Sequence, residues 1–146
     1  MFFAVLAAMA WRHFCVDEMP DWKEFVAAAA VYDDNHRRID ISLSSAEKLF
    51  FQHQAVFIDA RSPDQYRKGH IKGALNIPWN SVEKSIGYVL ENIDPDTTII
   101  TYCDGLKCSL SHNLANFLIQ LGYSDVKVLV NGWSAWLEKG LPVERD

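Results

Sequence analysis

Two cysteines five residues apart have the greatest chemical potential in this sequence. Cys103 and Cys108 lie in the stretch TYCDGLKCSLS, residues 101–111, between an apolar run and a helical pattern that begins near Ser109. Such a pair is compatible with three roles: two inert small side chains, a metal or disulfide pair, or one nucleophilic thiol with a companion. The rest of the chain must distinguish them.

A short loop between a strand and a helix suits an anionic nucleophile. Main-chain N–H groups of a curled loop, together with the positive end of the following helix, stabilise negative charge at their centre. Gly105 permits the backbone conformations that a tight loop requires. A cysteine sulfur at that centre is favoured as the thiolate, the nucleophilic form. The pattern therefore favours Cys103 as a nucleophile over a structural cysteine at a strand end.

The number and spacing of the cysteines and histidines argue against a metal site. The chain has three cysteines, so they do not form a closed disulfide framework, although one bridge between two of them stays open. There is no C-x2-C spacing, and the nearest histidines, His70 and His112, do not complete a zinc pattern. The same spacing argument disfavours a thioredoxin-type redox protein.

Composition indicates one globular domain behind an N-terminal extension. The chain has 146 residues, of which 49% are hydrophobic and 23% charged, and its net charge of −5 provides no basic footprint for nucleic acid. Residues 1–38 show no strand pattern, so we predict an apolar and helical extension or linker there and a single domain over residues 39–146.

The N-terminal run MFFAVLAAMAW is apolar and uncharged. Its eleven residues are too few to cross a bilayer, which needs ~20. It fits the end of a membrane helix or an apolar packing helix, so membrane association or oligomerisation through residues 1–14 is expected. The expected location is the cytoplasm or a membrane contacted through this segment.

From Ile39 onward, strand-like runs alternate with helical patterns, which is typical of βαβ units around a parallel sheet. Helices are predicted over 44–53, where Ser44 and Glu47 match a capping box, over 81–93, from Ser109 to Gly122 and from Trp133 onward. The predicted strands are IDISL (39–43), AVFIDA (55–60), GALNIP (73–78), TTIITYC (97–103) and VKVLV (126–130). Asp59 and Cys103 both stand at carboxyl ends of strands, where open parallel sheets bind ligands.

Several separated motifs, within roughly residues 40–144, resemble the rhodanese family of sulfurtransferases. In order, they are the D-x-R of Asp59-Ala60-Arg61, the G-H-I of residues 69–71, the cysteine loop, and the NGW..W...G.P ending over residues 131–142. The resemblance implies an α/β fold with a five-stranded parallel sheet flanked by helices on both faces. It also implies that no metal or organic cofactor is needed.

The resemblance assigns roles to the residues of the loop. Cys103 matches the nucleophile, which attacks the sulfane sulfur of thiosulfate, a persulfide or a polysulfide and passes that sulfur to a thiol acceptor. Asp59 and Arg61 match a supporting pair beneath the loop, with a charge-pairing role expected for Arg61. The expected partners are small sulfur donors and thiol acceptors, including a thioredoxin-like or other protein. The active loop comprises Cys103, Asp104, Gly105, Leu106, Lys107 and Cys108, followed by Ser109.

The loop departs from the family pattern in its charge and in its second cysteine. Ser109 stands where a related phosphatase loop has its arginine, which disfavours phosphatase activity. Lys107 is the only cation of the loop and Asp104 adds an anion, so we expect weak capture of doubly charged thiosulfate. Cys108 has two open interpretations, a resolving thiol or a small hydrophobic side chain. A catalytically silent interaction module is the alternative function.

Overall fold

The structure, a computed structural model, describes residues 39–146. No helix within that range is long and apolar enough to cross a membrane. The expected location in the cytoplasm or at a membrane is corrected accordingly, since no membrane-spanning helix among the described residues supports it. Residues 1–14, with the association expected of them, and the extension 1–38 lie outside the described residues. The division at residue 39 stays a prediction.

Within residues 39–146, the central sheet is parallel and has four strands, in the order β3 (Leu75–Asn76), β1 (Val56–Asp59), β4 (Ile99–Tyr102) and β5 (Val126–Leu129). β-branched and aromatic residues dominate its inner strands, β1 and β4, and residues of both strands are buried almost throughout. Asp59 of β1 pairs with Tyr102 of β4 at the carboxyl edge.

The α/β fold class is confirmed, but the count of five parallel strands is wrong by one. The segment predicted as the first strand makes only a single parallel bridge, from Asp40 to Val128. It cannot extend further because Ser42 already caps the first helix: the Ser42 hydroxyl accepts a hydrogen bond from the Ser45 N–H. A separate antiparallel pair is formed by β2 (His70–Ile71) and β6 (Val143–Glu144).

Helices cover both faces of the sheet. The predicted capping box at Ser44 is wrong, since Ser42 is the cap and the helix begins at Leu43. The single helix predicted over 81–93 is divided into a 3₁₀ segment, Trp79–Lys84, and an α-helix. The α-helices are α1 (Leu43–Phe51), α2 (Pro63–Lys68), α3 (Ile86–Asn92), α4 (Leu110–Gln120) and α5 (Gly132–Glu138).

Successive side chains of each strand point to opposite faces of the sheet and so contribute to two separate cores. Ile99 contributes to the core that includes residues of α3 and α4, and its neighbour Ile100 contributes to the core that includes residues of α1 and α5. Trp136 is fully buried in the second core, where it packs edge-on against Phe50 and Phe57. The two cores hold the sheet rigid, so the loops at its carboxyl edge have a fixed base.

Candidate active site

A buried ion pair lies at the carboxyl end of β1. Asp59 is fully buried and Arg61 is 4% exposed. Arg61 Nη2 donates to Asp59 Oδ2 at 2.6 Å, and its Nε lies 3.0 and 3.1 Å from the two carboxylate oxygens. The Arg61 main-chain N–H donates to Asp59 Oδ1 at 2.9 Å. This fork-shaped pairing satisfies the carboxylate from side chain and main chain together.

Neighbouring groups fix the Arg61 guanidinium in place. Its Nη2 also donates to Gly69 O at 2.7 Å, and its Cζ stands 4.7 Å from the centre of the Trp133 ring. Burial by itself would lower the pKa of Arg61, but hydrogen bonding and charge attraction from Asp59 outweigh it and raise that pKa above its ordinary value. Arg61 is therefore a permanent cation that groups of the protein itself already engage.

Tyr102 joins this cluster from β4. Its ring is fully buried, and its hydroxyl accepts a hydrogen bond from the Ile71 N–H at 3.0 Å. Burial, followed by the negative charge of Asp59, raises the pKa of Tyr102 far above its ordinary value. The tyrosine is thus held neutral against the ion pair, and it links β4 to the G-H-I turn.

The loop after β4 carries the two cysteines, and they are bonded to each other. Cys103 and Cys108 form a disulfide. Cys103 is 1% exposed, whereas Cys108 is half-buried. The Ser111 hydroxyl, on the first turn of α4, lies 3.2 Å from Cys103 Sγ. The sulfur of Cys103 therefore faces the interior of its own loop and the beginning of α4.

The segment before and at the start of α5 holds the first half of the loop. Asn131 Oδ1 accepts a hydrogen bond from the Gly105 N–H at 3.0 Å, and Ser134 Oγ donates to Asp104 Oδ1 at 2.5 Å. The Trp133 N–H donates to Cys103 O at 3.1 Å. Asn131 adopts a left-handed conformation, with φ of 53°, which asparagine tolerates better than most residues. Three successive loop residues are thereby anchored.

The second half of the loop is open to solvent. Leu106 is 77% exposed and Lys107 and Ser109 are exposed. Gly105 has a φ of +85°, in the region that favours glycine, and its carbonyl accepts the Cys108 N–H at 3.3 Å. Two loop N–H groups are therefore engaged by oxygen atoms, so the described loop, in its disulfide form, does not show the predicted cradle of N–H groups around a Cys103 thiolate.

Comparison with known proteins identifies the family to which a chain with this sheet and cysteine loop belongs. The family model described as the rhodanese-like domain matches residues 42–139. The chain belongs to the rhodanese-like domain family. The uncharacterized protein YibN of Escherichia coli K12 is 30% identical over 105 residues, which cover 72% of this chain and 71% of that protein.

Two further relatives of this rhodanese-like chain define how far the similarity extends. Thiosulfate sulfurtransferase GlpE of Vibrio cholerae is 25% identical over 107 residues, covering 73% of this chain and 94% of its own. The crystal structure of BH2092 from Bacillus halodurans superposes with a TM-score of 0.66 at 23% identity, covering 82% of this chain and 85% of that one. The structural likeness supports the fold.

The rhodanese-like site divides the predicted residues into two groups. Asp59 and Arg61 form one group with Tyr102 and Trp133, and the second group comprises Cys103, Cys108 and the hydroxyl-bearing Ser111. A main-chain hydrogen bond from the Trp133 N–H to Cys103 O joins the two groups, and the Ala60 N–H donates to Tyr102 O within the first group. The ion pair thus supports the loop through the backbone.

Sequence reasoning missed the residues that position the loop. Ser111, Asn131 and Ser134 lie 3.2 Å or less from loop atoms, yet they were not among the predicted site residues. Asn131 is the first residue of the NGW motif, and this position in a motif could have identified it as a site residue. Gln65 completes a capping box with Ser62 at the start of α2.

Proposed function

We propose that this rhodanese-like protein is a sulfurtransferase whose reduced Cys103 carries the transferred sulfur. The observation that supports this most is the position of the Cys103 sulfur. Cys103 follows β4 at the carboxyl edge of the sheet, and its sulfur faces inward within a six-residue loop that leads into α4. In the reduced loop, nearby N–H groups and the positive end of α4 favour the thiolate.

The reaction proceeds in two covalent steps. The Cys103 thiolate attacks the outer sulfur of a donor such as thiosulfate, forming a sulfur–sulfur bond while sulfite leaves with the electron pair of the broken bond. The resulting Cys103 persulfide then gives its outer sulfur to a thiol acceptor, and Cys103 leaves as the thiolate. The scheme is ping-pong catalysis by a covalent nucleophile. The thiol acceptors include small thiols and a thioredoxin-like or other protein.

Charges around the loop favour a donor of low charge. Lys107 is the only cation of the loop, and Asp104, fixed by Ser134, offsets it. The guanidinium of Arg61 is engaged by Asp59 and by Gly69 O. A doubly charged thiosulfate therefore meets little net attraction, because electrostatic attraction scales with the charge of the site. Organic persulfides, whose reacting group carries a single charge, are the preferred donors in this proposal.

The test uses the Cys108→Ser variant, which cannot form the loop disulfide. The reduced variant is mixed with thiosulfate or polysulfide in the absence of oxygen, and its intact mass is measured. We expect a gain of one sulfur atom, located on the peptide that contains Cys103, and loss of that sulfur on addition of a thiol.

The double variant Cys103→Ser, Cys108→Ser is the matched control and should gain no sulfur on the peptide that contains residue 103. If the reduced Cys108→Ser variant gains no sulfur from any donor, the sulfurtransferase proposal is wrong. The catalytically silent interaction module would then be the better description.

A further inference from the structure

The loop disulfide joins two cysteine residues of unequal exposure to solvent. Cys103 is 1% exposed, whereas Cys108 is half-buried beside the exposed residues Leu106 and Lys107. We propose that Cys108 is a resolving thiol, so that the protein releases the captured sulfur as sulfide and ends the turnover as the Cys103–Cys108 disulfide, which a dithiol then reduces. This inference rests on the proposed Cys103 persulfide.

The resolving step balances without an outside oxidant. The Cys108 thiolate attacks Sγ of the Cys103 persulfide and forms the Cys103–Cys108 bond. The bond between Cys103 Sγ and the outer sulfur breaks, and hydrosulfide leaves with its electron pair. The proton lost by the Cys108 thiol is available to the departing sulfide. The sulfane sulfur is reduced, and the two cysteine thiols are oxidised to the disulfide.

The geometry of the loop permits this step. Asp104 and Gly105 are anchored by Ser134 and Asn131, which leaves the segment from Leu106 to Cys108 to bring the second sulfur to the first. The left-handed Gly105, whose carbonyl accepts the Cys108 N–H, turns the chain back toward Cys103. Bonding contact between the two sulfur atoms is therefore compatible with the anchored fold.

Unequal exposure also determines how the disulfide is reduced. An external thiolate reaches the half-buried Cys108 sulfur more readily than the buried Cys103 sulfur, so it forms a mixed disulfide with Cys108 and displaces Cys103 as the leaving thiolate. Cys103 then stands close enough to attack the mixed disulfide and expel a monothiol. With a dithiol, the second thiol of the reductant attacks the mixed disulfide first. It closes a disulfide within the reductant and releases Cys108 as a thiolate, so the loop disulfide does not re-form. The reductant class is therefore a dithiol.

The first experiment follows sulfur and electrons in a single turnover. Fully reduced wild-type protein is mixed with polysulfide without oxygen and without added thiol; sulfide and intact mass are then measured. After subtraction of the sulfide that polysulfide releases in a protein-free blank, we expect about one sulfide per chain and a protein lighter by two hydrogen atoms. Reduced protein without donor should keep its mass. The Cys15→Ser variant, which lacks the third cysteine of the chain, should behave as wild type.

The outcomes separate the two proposals. If Cys108→Ser retains one added sulfur on Cys103 while wild type releases sulfide and forms the disulfide, both stand. If wild type instead keeps the added sulfur, on Cys103 or relayed to Cys108, the resolving role is wrong and sulfur transfer stands. If Cys108→Ser gains no sulfur, the proposed function itself is wrong.

The second experiment tests the reductant class with the oxidised protein. Dithiothreitol and 2-mercaptoethanol are supplied at the same total thiol concentration, and free protein thiols are followed by alkylation and mass. We expect the dithiol to reduce the loop at least ten-fold faster, and the monothiol to give a transient adduct on the peptide that contains Cys108. Equal rates, or an adduct on Cys103, would overturn the proposed route of reduction.

Discussion

Replacement of Arg61 by methionine tests whether the ion pair beneath the loop is structural. The Arg61→Met variant keeps a long side chain against Trp133 but removes every guanidinium donor. Asp59, which is fully buried, then keeps only the Arg61 main-chain N–H among the four hydrogen bonds that Arg61 makes to its carboxylate. A buried carboxylate without its partner is strongly unfavourable.

The size of the expected effect follows from that burial. Removal of one partner from a buried ion pair costs about 3–5 kcal/mol of the free energy of unfolding. A domain of this kind has a total free energy of unfolding on the order of 5–15 kcal/mol. Arg61→Met should therefore bring the protein close to unfolding at room temperature, which a role confined to substrate contact would not do.

Urea denaturation of the oxidised protein, followed by far-ultraviolet circular dichroism, measures this loss. The double variant Asp59→Asn, Arg61→Met is the control, because the asparagine oxygen still accepts the main-chain N–H of residue 61 without leaving a buried charge. We expect the double variant to recover at least half of the lost free energy. An Arg61→Met loss below about 1 kcal/mol, or a double variant no more stable than Arg61→Met, would refute the structural role.

Three further predictions concern the same edge of the sheet. Gly132→Ala should lower the free energy of unfolding by about 1–3 kcal/mol in urea denaturation, because the added Cβ would lie 2.6 Å from Tyr102 Cβ, and an unchanged midpoint would contradict this close approach. Tyr102 should make stability fall in alkaline solution: burial, then the charge of Asp59, raises its pKa above the ordinary 10.0, so its contribution is complete below that pH and is lost as the pH rises above it. Tyr102→Phe should flatten the alkaline fall in free energy of unfolding, and an equal slope in both proteins would argue against the assignment. In the oxidised wild-type protein, the peptides that contain Cys103 and Cys108 should gain no sulfur from polysulfide until the protein is reduced, as measured by peptide mass, because the two sulfur atoms are bonded to each other.

Patterns of adjacent residues predicted the strands and helices that depend on local preference and burial. The runs around Val56–Asp59 and Ile99–Tyr102 are apolar enough to identify inner strands. The first predicted strand failed because strand and helix compete for the same residues: Ser42 caps α1, which shortens the pairing to one bridge at Asp40. Whether these residues extend a strand or cap a helix depends on the contacts that the whole fold allows, which adjacent residues alone do not specify.

The sequence by itself determined that Cys103 and Asp59 stand at carboxyl ends of strands, since position in a parallel strand follows from local pattern and from the chain direction. Only the tertiary structure decided which distant side chains hold the loop. Asn131 and Ser134 are separated from their loop partners by 26 and 30 residues, and nothing local encodes those pairings. They arise because β5 lies beside β4 in the sheet, which brings the beginning of α5 against the cysteine loop.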